Sequence, residues 1–149
     1  MLLTWQRYTW KELTPELLYK ILALRARVFV VEQNCPYLDL DGKDETALHL
    51  CAFFDSDLIG YARIFIDQSP CVIGRVVVHQ KHRAKDYGRK LMQKSIAALP
   101  ADKEIFISAQ ERLKNFYESL GFYQSAEGYL EDGIPHIPML LPPRNAIEK

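Results

Sequence analysis

Between Val72 and Leu91 a run of aliphatic residues leads directly into a dense set of cations. Val76, Val77 and Val78 read as a buried strand, and Lys81, His82, Arg83, Lys85, Arg89 and Lys90 follow within residues 81–90. A helix expected over Tyr87 to Leu99 starts inside this basic stretch. The first turn of a helix leaves amide N–H groups without partners, and its aligned peptide dipoles make that end partly positive. Cations around such an end build a site for a phosphate or pyrophosphate. Gly88 would lie at the second or third helical position, where the missing Cβ lets an anion approach the backbone. A solvated basic helix start would use the same residue types. The buried strand, the glycine and the clustering are what favour phosphate binding.

The elements that must position this turn follow from apolar spacing. Leu2 to Tyr8 alternates well enough for a strand. Thr14-Pro15 offers a cap residue followed by proline at the first helical position. From there Leu17, Leu18, Ile21, Leu22, Leu24, Val28 and Phe29 supply a wide apolar helix face. Pro36 disfavours helical geometry at Cys35, so the helix should end near Glu32 to Asn34. Asn34 to Thr46 reads as loop. Ala47 to Phe54, Leu58 to Asp67 and Cys71 to His79 read as strands joined by short turns, an antiparallel meander. Pro100 closes the helix from Tyr87 to Leu99. Glu104 to Ala109 is a short strand, and Glu111 to Leu120 a short helix ended by Gly121. Phe122 to Ser125 and Ile134 to Leu141 are strand-like. The order is that of an α/β chain with a mixed sheet.

Composition narrows the function. The 149 residues fit one domain, 1–149, and 48% of them are hydrophobic, enough for a full core. Lys plus Arg number 19, as do Asp plus Glu, so no global field gathers nucleic acid or coats an anionic membrane. No apolar run approaches the roughly 18–20 residues that cross a bilayer. The amino-terminal residues lack the pattern of a signal peptide. Cys35, Cys51 and Cys71 are odd in number and widely spaced, which fits reduced thiols in a cytoplasm better than a disulfide framework or a zinc site. Asp39, Asp41 and Asp44 superficially suggest a calcium loop, but the closing glutamate of an EF-hand is missing, so no metal is expected.

Arg83-Ala84-Lys85-Asp86-Tyr87-Gly88 resembles the acetyl-CoA signature of GNAT acetyltransferases, Q/R-x-x-G-x-G/A, placed between a strand and a helix. Arg83 and Gly88 match; Asp86 stands where the first glycine is usual, and its carboxylate must point outward or cap the helix. Longer strings, LRARVFVVEQNCPYLDLDGKD, YARI, IGRVVV, AQ…L..FYESLGF and YLEDGIPHIPM, resemble the ElaA-type GNAT acetyltransferases over nearly the whole chain. The resemblance implies the GNAT fold, a mixed, mostly antiparallel, splayed sheet flanked by helices. It implies acetyl-CoA as co-substrate between the fourth and fifth strands. Val76, Val77 and Val78 would then offer backbone groups to the acetyl and pantetheine portion. Arg83, Ala84, Lys85, Asp86, Tyr87, Gly88 and Arg89 would cradle the pyrophosphate, and Asn115 would reach the pantetheine.

Acetyl transfer to an amine requires a neutral amine, a polarised carbonyl and a proton for the departing thiolate. The resemblance implies direct transfer with both substrates bound together. Tyr117 matches the position where many GNAT enzymes set a tyrosine against the sulfur, so it is the candidate acid; packing in the core is the alternative. Glu32 ends an apolar helix, an odd place for a charge unless it faces a cleft, and leads as candidate base over His79 and His136; an ordered water, or no dedicated base, is the alternative. Asp39, Asp41 and Asp44, with Glu131 and Asp132, are expected to edge a pocket for a cationic amine, or to form a solvated acidic loop. The acceptor would be a small-molecule or peptide amine, and Ile137 to Leu141 could pair across a homodimer. The alternatives are a CoA-binding sensor without turnover and a transferase using a longer acyl donor.

Overall fold

The computed structural model describes residues 2–145. Eight strands form one sheet in the order β1-β2-β3-β4-β5-β8-β6, with β7 also paired to β8. β2 (Leu48–Phe54), β3 (Asp57–Phe65) and β4 (Cys71–Val78) make the expected antiparallel meander, and β1 (Leu3–Thr9) pairs antiparallel with the outer edge of β2. β5 (Ile105–Gln110) lies parallel to β4 and antiparallel to β8 (Ile134–Leu141). The outer edge of β8 carries β6 (Tyr123–Gln124) at one end and β7 (Tyr129–Glu131) at the other. Because β8 is flanked on both sides, Ile137 to Leu141 does not present the free edge that pairing across a dimer needs.

Helix α1 (Pro15–Arg25) covers one face of the sheet, while α2 (Tyr87–Ala97) and the short α3 (Lys114–Glu118) cover the other. Strand alternation explains the division: Cys51 and Tyr61 pack with Ile21 and Leu24 of α1, and their neighbours Leu50 and Ala62 pack with Leu91 and Met92 of α2. The Thr14 hydroxyl accepts the Leu17 amide at 3.1 Å and so starts α1 as expected. The helix does not continue unbroken to Glu32. Its winding widens to a π-helical stretch over Ala26–Glu32, which includes β-branched Val28, Val30 and Val31, residues of lower helix propensity. Gly121 (φ 102°) lets the chain leave α3 in a left-handed conformation.

Val77 shows where simple alternation fails. Two residues apart on a regular strand share a face, so Ile73 and Val77 should pack together. Ile73 instead lies in the α2-side core and Val77 in the α1-side core. Tyr61 pairs with Val77 and Arg63 with Gly74, so Arg75 and Val76 together face one residue of β3. That is a β-bulge, with Arg75 in the left-handed region at φ 50°.

Candidate active site

β4 and β5 stay together for only two residue pairs, Cys71 with Ile105 and Val72 with Phe106. Beyond them the strands diverge, and a cleft of about 360 Å³ opens between Ile73–Val78 on one wall and Ile107–Gln110 on the other. The β5-facing backbone of β4 is therefore without strand partners along the cleft. The bulge at Arg75 and Val76 adds amides and carbonyls that the regular ladder does not use. Two diverging strands plus a bulge present main-chain polar groups in a partly enclosed space, which suits a thioester carbonyl and an amide-bearing chain.

The cleft lining includes Arg83, in the segment that leads from β4 into α2. Asp86, at the cap position, makes no side-chain hydrogen bond to the first turn, so the Tyr87, Gly88 and Arg89 amides are uncapped. A Cβ built on Gly88 would meet nothing within 4 Å, leaving open space above the backbone. The chain passes through the left-handed region at Ala84 (φ 62°) and Asp86 (φ 65°). This accounts for glycine being usual at the Asp86 position: aspartate is among the few other residues that tolerate that geometry. The Asp86 carboxylate is 66% exposed and points outward to Arg89, 3.5 Å away. Lys81 and Lys85 are exposed, and among the described residues neither belongs to an ion pair.

Arg83 and Glu32 meet across this end of the cleft. The Arg83 guanidinium donates to both Glu32 carboxylate oxygens, one at 2.9 Å, and its Nε donates to the Val78 carbonyl at 3.0 Å. Both residues line the cleft. The hydrogen bond from Arg83 holds the Glu32 carboxyl below its ordinary range against a small opposing burial effect. A carboxylate so paired is a weaker proton acceptor, a setting that does not favour the expected role of Glu32 as base. Arg83 is likewise committed to Glu32 and Val78, leaving the uncapped amides and the free lysines as the groups open to a phosphate.

Tyr117 is buried against Phe116 and Phe122 in edge-to-face contacts, with ring centroids at 5.1 and 6.0 Å, yet it also lines the cleft. Burial pushes its hydroxyl up to about 12, so it remains a phenol with a proton to offer. Packing and access coexist. Asn115 lies exposed on α3 and outside the cleft lining, where Arg112, Leu113 and Tyr117 stand instead. The helical turn directs position 115 away from the wall that carries 113 and 117.

Asp39, Asp41 and Asp44 do not line the cleft, contrary to the expectation that they edge a pocket there. Arg25, fully buried, donates to Asp39 at 2.9 Å and Asp44 at 2.8 Å. Arg63 reaches Asp41 at 2.7 Å and Asp44 at 3.0 Å. Arg75, the bulged residue, reaches Asp39 at 2.7 Å and Asp41 at 3.4 Å. His49 extends the network, with Nε2 donating to the Asp44 carbonyl at 2.9 Å and Nδ1 accepting from the Tyr61 hydroxyl at 2.6 Å. Burial pushes Asp44 up, but hydrogen bonds and charge from Arg25 and Arg63 outweigh it and hold the carboxyl below its usual range. The arginines come from α1, β3 and β4, far apart in sequence, so no local spacing announced the pairing. Through Arg75 this network anchors the bulge on the cleft wall.

Four groups on the opposite wall were only partly anticipated. Ser108 of β5 hydrogen-bonds to the Tyr129 hydroxyl and donates to Glu131 at 3.0 Å. His136 Nδ1 donates to the Ile134 carbonyl at 2.7 Å, and its Nε2 lies 3.7 Å from the second Glu131 oxygen. β7, which the apolar pattern did not reveal, brings Tyr129 and Glu131 here. The Asp132-Gly133 turn between apolar pieces was the available signal.

Residues 21–142 match the acetyltransferase (GNAT) domain family. Protein ElaA of Escherichia coli strain K12 is 44% identical over 146 residues, covering 93% of this chain and 95% of that protein. The crystal structure of Escherichia coli ElaA superposes with a TM-score of 0.88 at 42% identity, over 94% of this chain and 99% of that one. An acyl-CoA N-acyltransferase from Pseudomonas aeruginosa superposes with a TM-score of 0.85 at 38% identity, over 93% and 99%. With the splayed sheet and its bulged fourth strand, these likenesses establish that the chain belongs to the GNAT acetyltransferase family.

Proposed function

We propose that the protein transfers an acetyl group from acetyl-CoA to a primary amine of a small molecule or peptide, directly and with both substrates bound. One observation carries this reading: the β4–β5 cleft is walled by unpaired strand backbone and lined at one end by Arg83, four residues before the uncapped first turn of α2. The amides of Tyr87, Gly88 and Arg89, with Lys81 and Lys85, hold the pyrophosphate. The bulged backbone at Arg75 to Val78 receives the pantetheine and polarises the thioester carbonyl. Tyr117 gives its proton to the departing sulfur. The Arg83–Glu32 pair closes the end of the cleft as a positioning contact. Three free, buried thiols agree with a reducing cytoplasm as the setting.

Two measurements test the reading. Calorimetry with acetyl-CoA, CoA and a longer acyl-CoA reports donor binding and preference, and thiol release with a panel of amines reports transfer. Binding without thiol release for any amine would make the protein a sensor, and preference for the longer donor would make it a different acyltransferase. Tyr117→Phe is expected to lower kcat about tenfold or more with CoA affinity nearly unchanged. Equal turnover in variant and parent removes Tyr117 from the chemistry.

A further inference from the structure

We propose that Glu131, Ser108 and His136 form the subsite for the acceptor's ammonium group, and that His136 Nε2 removes its proton. This rests on the N-acyl transfer reading above. The Nδ1 hydrogen of His136 is spent on the Ile134 carbonyl at 2.7 Å, so in the neutral ring Nε2 is a bare lone pair. That lone pair faces a Glu131 oxygen at 3.7 Å. Two such acceptors repel unless Nε2 takes up a proton or an N–H donor stands between or beside them, so the pair attracts a proton or an ammonium group. The other Glu131 oxygen already accepts from Ser108, whose own oxygen is met by the Tyr129 hydroxyl. Glu131 is thus held in place with one oxygen still open toward His136.

An alkylammonium fits what is left open: it carries three N–H donors and a positive charge, and both free acceptors line the cleft. The titratable groups that share this end are Tyr129, stacked on the imidazole at 6.3 Å, Glu131, Asp132 on the turn between β7 and β8, and Cys35 and Tyr37 from the segment after the π-helical stretch. Cys35 is turned away, its thiol donating to the Asp132 carbonyl at 3.4 Å. Tyr37 donates to Asp39 at 2.8 Å, and burial raises its hydroxyl, so it does not compete for the proton.

The step balances as follows. The ammonium gives one proton to Nε2, leaving a neutral amine and an imidazolium that Glu131 stabilises. The amine lone pair forms the C–N bond at the thioester carbon as the C–S bond breaks and its electron pair leaves on sulfur. Tyr117 protonates the sulfur and recovers a proton from the amide nitrogen. His136 releases its proton to water.

The experiment compares parent, His136→Asn and Glu131→Gln with n-butylamine as acceptor and acetyl-CoA saturating. Asparagine keeps the hydrogen bond to Ile134 while deleting Nε2, so the hairpin is preserved. In the parent, kcat should level off with rising pH. In His136→Asn it should be about a hundredfold lower near neutrality and climb about tenfold per pH unit, because only amine already neutral reacts. Glu131→Gln should raise KM for n-butylamine about tenfold with a smaller change in kcat. Binding of n-butylammonium to the CoA complex, followed by the His136 imidazole nitrogen resonances, should shift Nε2 in the parent and not in Glu131→Gln. A parent-like pH profile in His136→Asn, or an unmoved Nε2 resonance in the parent, overturns the proposal. A shifted resonance in a parent that releases no thiol supports the subsite while removing the transfer reading.

Discussion

The Arg25–Arg63–Arg75 network and the basic turn from Lys81 to Lys90 both concentrate charge, yet they use it oppositely. In the first, three arginines meet three aspartates in a largely buried cluster at 2.7–3.4 Å. In the second, Lys81 and Lys85 stand in solvent beside uncapped amides. Charges taken out of water must be paired, because an unpaired buried ion is costly. Charges left in water can stay unpaired and remain available to a ligand. The internally paired set therefore holds the cleft wall, and the unpaired set is the part that can bind.

The largest effect should come from breaking the buried set. Arg25→Ala removes one of the three buried cations, leaving Asp39 to Arg75 and Asp44 to Arg63 with less charge compensation, and is expected to cost about 3–5 kcal/mol. A drop in melting temperature of about 10 °C or more would register it. A variant that melts like the parent would show that the network contributes nothing net.

Acid breaks the same set more gently. Burial pushes the Asp41 carboxyl up, but the hydrogen bonds from Arg63 and the Lys43 amide, with the charges of Arg63 and Arg75, hold it well below the usual range. Asp44 is lowered too. Groups with a depressed folded-state pKa lend stability that is complete above the ordinary carboxylate range and vanishes as pH falls through the depressed values. Melting temperature should thus hold between roughly pH 7 and 5 and fall below about pH 4. Thermal scans across that range check the sign, and stability that rises on acidification would contradict it.

The smallest effect sharpens the other side of the comparison. Asp86→Gly removes an exposed carboxylate near the uncapped amides and suits the left-handed backbone there. CoA affinity should tighten about two- to fivefold, and less at high salt. Asp86→Asn separates the causes, since it removes the charge and keeps a side chain. Weaker binding in both variants would mean that Asp86 supports the loop.

Residues near one another in sequence were readable without coordinates. The Thr14-Pro15 start, the meander, and the basic helix end after Val76 to Val78 depend on periodicity and on groups within a few residues of each other. Cys51 and Cys71 sit in apolar runs that read as strands, and both are fully buried. These features rest on short-range physics: helix ends always leave free amides, and strand alternation always sorts faces.

Only the tertiary arrangement decided what each charge does. Asp39 and Asp41 carry the same carboxylate chemistry as Glu131 and Asp132, and nothing local separates acids bound by distant arginines from acids open to a cleft. The bulge at Arg75 is invisible in the string IGRVVV because it is defined by what β3 does opposite it. Glu131 meets His136 only because a three-residue strand, β7, pairs with β8 in one register. Such meetings depend on contacts between elements far apart along the chain, and composition and spacing carry no record of them.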